Sequence, residues 1–118
     1  MPSRHDPAGS LADIIENAEQ IESCLAGIDR DGLGRDSVLR DAVERRLERV
    51  CEAANRLGGR AAELMPDQPW GDIRGMGNWL RHAYDRIDLD VIWNAVRHDV
   101  PGLAIAARLA LERLRSEP

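Results

Sequence analysis

Apolar residues recur at intervals of three and four along almost the whole of this chain, and no segment alternates with period two. That periodicity marks amphipathic helices and leaves no candidate strand, so the expected fold class is all-α. Composition points the same way. Phe is absent, and three Trp and one Tyr are the only aromatics, so a core must come from Leu, Ile, Val and Ala. Such residues suit helix-on-helix packing better than the faces of a sheet. At 118 residues the chain fits one domain.

The periodic stretches and their punctuation predict an up-and-down bundle of four to five helices. Ser10 is the expected N-cap of a first helix to about Ala26, with Leu11, Ile14, Ile15, Ala18, Ile21 and Leu25 facing inward. A turn rich in Gly and Asp follows, over residues 27–34. Asp36 should cap a second helix with the stripe Leu39, Val43, Leu47, Val50, Ala54 and Leu57, stopping at Gly58 and Gly59. A short helical piece covers Arg60 to Met65. Pro69 and Trp70 then open the third main helix, with Ile73, Met76, Leu80, Ala83, Tyr84 and Ile87 as its apolar side. Asp88 looks like the cap of a shorter helix, and Pro101 stands near the start of a separate last one.

The polar stretch Met1 to Gly9 lacks the apolar run of a signal peptide and is expected to be a disordered tail before a single domain over residues 10–115. No stretch approaches a membrane span of about 18 apolar residues. Cys24 and Cys51 sit in helical patterns and form no pair motif, so they read as buried thiols in a reducing compartment, and the expected location is the cytoplasm. A net charge of −5 gives no bulk attraction to nucleic acid. All 16 Lys and Arg residues are nevertheless Arg, the side chain whose planar fork suits phosphates. Genome composition explains the same bias.

The third helix concentrates the chemistry. At about 100° per residue, Arg74, Asn78, Arg81 and Asp85 share one narrow stripe, with His82 at its edge, opposite the apolar side. Gly75 and Gly77 lie inside this helix, where glycine costs about 1 kcal/mol against Ala and is tolerated where a backbone or ligand comes close. Such a set can act on a phosphodiester. Histidine moves protons near neutral pH, arginine holds phosphate oxygens, and RNA brings its own 2′-hydroxyl nucleophile, so neither a metal nor another cofactor is expected. A solvated helix face accounts for the same residues, with Arg81 and Asp85 as an i,i+4 ion pair. His5, His82 and His98 show no metal-ligand spacing, and no nucleophile elbow or dinucleotide loop is present. Trp70 and Trp93 read as core or dimer-contact residues.

The run from Pro69 to Tyr84, PWGDIRGMGNWLRHAY, resembles the signature of HepT-like proteins of the HEPN superfamily. LADIIENAEQIE and VERRLERVCEAANRL resemble the helices before it, and DRIDLDVIWNAVRHDVPGL the segment after it. The resemblance implies a HEPN-like helical ribonuclease toxin, metal-independent and homodimeric, paired with a minimal nucleotidyltransferase antitoxin. The motifs of both subunits would meet in one cleft on the RNA substrate. The family motif comprises an Arg, a polar residue and a His, with a Tyr that the partner nucleotidylates. Asn78, His82 and Tyr84 match it. Gly77 stands where the motif Arg is expected, so Arg81 or Arg74 would have to supply the charge. The rival expectation is a catalytically inactive helical dimer that binds the nucleotidyltransferase or a nucleotide.

Overall fold

The computed structural model describes residues 6–82 and 88–117. Every regular element among them is helical: α1 (Pro7–Leu25), α2 (Arg30–Arg35), α3 (Ser37–Leu57), α4 (Arg60–Leu64), α5 (Trp70–His82), α6 (Leu89–Asn94), a π-helical turn (Ala95–Asp99) and α7 (Val100–Ser116). The helical bundle is built from four long runs, α1, α3, α5 and the continuous stretch from α6 through α7, with α2 and α4 as short connecting pieces.

Local chemistry starts and stops most of these elements. Asp36 Oδ1 accepts from the Leu39 amide at 3.0 Å and caps α3, and Asp88 Oδ1 accepts from the Asp90 amide at 2.9 Å and caps α6. Gly58 closes α3 with φ of 55°. Three expectations need correction. The cap of α1 is Asp6, not Ser10: Asp6 Oδ1 accepts from the Ala8 amide at 2.9 Å, Pro7 fills the first helical position, and Ser10 is buried inside the helix. Pro7–Gly9 therefore belong to α1 and not to a tail.

The Gly- and Asp-rich turn contains α2. Asp29 Oδ1 caps it through the Gly32 amide at 2.7 Å, and Leu33 is fully buried. A Cβ on Gly34 would stand 2.6 Å from Leu89 Cδ2, so glycine is what lets α2 sit against α6. Tertiary docking overrides poor helix propensity here. The last two expected helices are also one run. Pro101 has no N–H, and its ring crowds the carbonyl four residues back. The widened π turn just before it accommodates both effects, with the Val100 amide donating to Ala95 O.

The core is aliphatic. Leu11, Ile14, Ile21, Val43, Leu47 and Leu103 are among the fully buried side chains, each stabilising the fold by about 1.5–3 kcal/mol against exposure. α1 lies between α3 and α7, while α5 packs chiefly on α3. Arginines tie the helices at their rims. Arg56 pairs with Asp13 across α1 and α3, Arg108 with Glu19 at 3.2 Å across α1 and α7, and Arg30 with Asp90 at 2.7 Å across α2 and α6. Part of the Arg content thus serves as inter-helix ties. Among the described residues no helix is long and apolar enough to cross a membrane.

Candidate functional site

The placement of α5 begins at Trp70, whose buried indole Nε1 donates to Met65 O at 2.9 Å. This bond holds the first turn of α5 to the end of α4. Ile73 and Gly77 continue the buried line one and two turns on. A Cβ on Gly77 would lie 3.0 Å from Cys51 Cβ and 3.7 Å from its Sγ, so a bare backbone is what lets α5 approach α3 here. Of the two interior glycines, Gly77 has the close neighbour. Gly75 faces open space.

This contact rotates the helix relative to the expected register. The buried side runs along Trp70, Ile73 and Gly77, while Met76, Trp79 and Leu80 are only partly covered. On an ideal helix Gly77 lies about 40° from Arg81, so the polar stripe starts beside the buried seam, not opposite it. The absence of a side chain at 77 is the physical reason.

Arg74, Asn78, Arg81 and His82 are all exposed on this face. Asn78 is central. It is i,i+4 from Arg74, i,i+3 from Arg81 and i,i+4 from His82, spacings that put Cβ atoms about 5–6 Å apart. Arg74 and Arg81 make no hydrogen bond or ion pair with another described residue, unlike the arginines that tie the bundle together. Tyr84, Asp85 and the anticipated Arg81–Asp85 pair lie outside the described residues. Arg74 also borders a small cavity of about 70 Å³ at the end of α3, beside Asn55 and Gly58. Carbonyls left open at a helix C-terminus favour a cation there.

Cys51 sits beneath Gly77. Burial pushes its thiol up to about 11; the Arg81 charge opposes this and Glu48 adds to it. The thiol therefore stays protonated near neutral pH and is no nucleophile. Cys24 is only partly buried, a correction to its expected burial. His98 is exposed on the π turn, and no group of three or more His, Cys, Asp or Glu side chains placed to hold a metal ion occurs among the described residues.

Sequence periodicity did not single out Asp99. This carboxyl on the π turn is pushed up by burial and by the Asp72 charge from α5, with His98 opposing. Asp72 and Asp99 line one small cavity together with Cys51 and Met76. No sequence signal joins two carboxylates so far apart in the chain. Trp93, expected in a core or dimer contact, is half-buried with the Arg97 guanidinium 5.0 Å above its ring.

Residues 14–109 match the family described as Ribonuclease HepT-like. A Methanocaldococcus jannaschii protein named as a candidate RNase is 33% identical over 99 residues, covering 84% of this chain and 91% of that protein. A Thermococcus cleftensis protein named as a candidate ribonuclease HepT is 34% identical over 93 residues, covering 79% of this chain and 84% of that one. A further candidate RNase, from Caldanaerobacter subterraneus, is 28% identical over 107 residues, covering 91% and 96%. No solved structure matches significantly. With a family match that spans most of its length and includes the helix that exposes Asn78 and His82, the chain belongs to the HepT-like family.

Proposed function

We propose that this chain is a metal-independent ribonuclease whose site is the Asn78-centred face of α5. The observation that carries the reading is the cluster itself: Arg74, Arg81 and His82 are exposed around one amide, on the helix that carries the family signature. In the proposed reaction the RNA 2′-oxygen attacks the adjacent phosphorus as its proton leaves. The bond from phosphorus to the 5′-oxygen breaks, giving a 2′,3′-cyclic phosphate and a 5′-hydroxyl. His82 moves the proton, and Arg81 and Arg74 hold the non-bridging oxygens as charge grows on them. Asn78 orients the phosphate between them. In a homodimer a second His82 would be on hand for the leaving oxygen.

The biological setting of this reading is a toxin–antitoxin module. The minimal nucleotidyltransferase would silence the site by attaching a nucleotide to Tyr84, adding bulk and negative charge two residues from His82. Co-expression with that enzyme should add nucleotide mass to the peptide carrying Tyr84.

A second reading has its own support. Gly77 occupies the place of the motif Arg and is packed on Cys51, where even a Cβ would lie 3.0 Å from Cys51 Cβ. On this reading the chain is an inactive dimer that binds the nucleotidyltransferase or a nucleotide. RNA cleavage by the purified chain in excess chelator, against His82→Ala, separates the two. Cleavage lost in the variant supports the nuclease. Equal products from both proteins, or none from either, would refute it.

A further inference from the structure

α7 is apolar on two sides, and the bundle uses only one of them. Leu103, Ala107 and Leu111 are buried against the core. The opposite side carries Ile105 and Leu109, 59% and 56% exposed. Together with Leu64, Met65, Gly102 and Ala106, these two side chains line a groove of about 850 Å³ between α7 and residues 64–68. Gly102 and Ala106, one turn apart, let another backbone come close. The groove follows α7 from Gly102 to Ser116, about 21 Å at 1.5 Å per residue, which matches a helix of three to four turns.

Charge selects the occupant. Asp67, Glu112 and Glu117 line the groove, and their side chains pair with no other described residue. Among the described residues that line it, the one guanidinium, that of Arg113, donates to Leu64 O at 2.9 Å. A second copy of the chain would bring the same carboxylates against these, and RNA or an anionic membrane would meet the same repulsion. We propose that this groove docks a basic amphipathic helix of a partner protein, its apolar stripe over Ile105 and Leu109 and its Lys or Arg side chains beside Asp67, Glu112 and Glu117. The site requires no nuclease activity.

The test uses the full chain and two labelled, end-capped peptides of helical leucine pattern, one with lysine and one with glutamate at the polar positions, read by fluorescence anisotropy. The lysine peptide should bind and the glutamate peptide should bind at least about tenfold more weakly. The double variant Ile105→Gln with Leu109→Gln keeps net charge and removes only exposed side chains, so the fold is retained. It should weaken the lysine peptide by about tenfold or more. Asp67→Asn with Glu112→Gln should weaken it several-fold and flatten its salt dependence. Val38→Gln, at another exposed apolar position, should change nothing. Undiminished binding by the Ile105→Gln, Leu109→Gln double variant would overturn the proposal as general attraction to an acidic chain. So would self-association, seen by light scattering, that the same double variant abolishes, because the occupant would then be a second copy.

Discussion

At Gly77 the α5 backbone comes so near α3 that an added Cβ would lie 3.0 Å from Cys51 Cβ, and both packing and chemistry follow from it. An arginine at this position must displace α3 or swing out along the seam. Gly77→Arg is therefore expected to destabilise the fold by about 1–3 kcal/mol in urea melts, and to leave RNA cleavage no higher than wild type. If the variant instead creates a nuclease from an inactive chain, the inactive-dimer reading of the wild type is correct. Arg81 has the opposite environment, exposed beside Asn78 and His82. Arg81→Ala should leave stability nearly unchanged while lowering cleavage by about 10²–10³. Asp99 belongs to the same scale. Burial and the Asp72 charge raise its pKa in the fold above the ordinary Asp value, so its ionisation opposes folding. That cost is absent below the ordinary Asp range, grows as pH rises towards the folded value, and is complete above it. Asp99→Asn should thus raise the Tm at neutral pH, and the gain should vanish on acidification below the ordinary range.

Among the elements, α5 is held differently from the rest. α1 packs against two long partners, whereas α5 lies chiefly on α3 and is pinned at its first turn through Trp70. Trp70→Phe keeps most of the apolar bulk but leaves Met65 O without its indole donor. A loss of about 0.5–1.5 kcal/mol is expected in chemical denaturation. Amide exchange should quicken in the first turns of α5 more than in α1, and a uniform change across the bundle would contradict this placement. The caps at Asp36 and Asp88 and the stop at Gly58 were legible in the sequence because each acts within one helical turn. Ser10 misled because Pro7 and Asp6, a turn earlier, supply a better start. α2 was hidden because two glycines in six residues argue against a helix, and only the fit of Gly34 against Leu89 reveals the compensation.

At the scale of the whole molecule, a chain of net charge −5 gathers Arg74, Arg81 and His82 on one helix face. Beside that face Met76, Trp79 and Leu80 remain partly uncovered, an apolar margin suited to a two-fold contact. Pairing through this margin would bring two copies of the basic cluster together and form a cationic cleft on an acidic protein. Light scattering at micromolar concentration should give twice the chain mass, and Trp79→Glu should return it to one. A monomer under all conditions would rule the shared cleft out. The α7 groove shares no lining residue with this margin, so its variants should leave this dimer intact.

The sequence by itself determined the helical class, most helix boundaries, the aliphatic core and the candidate residues Arg74, Asn78, Arg81 and His82. These depend on spacing within a turn or two, which the chain carries wherever it folds. Only the tertiary structure decided which way α5 is rotated, because that depends on Gly77 meeting Cys51 from another helix. It also decided that burial, with the Asp72 charge, raises the Asp99 pKa, that α6 runs into α7 through a π turn, and that Ile105 and Leu109 stay outside the core. Each is a relation between residues remote in the chain, set by which surfaces are close enough to exclude water or to feel one another's charge.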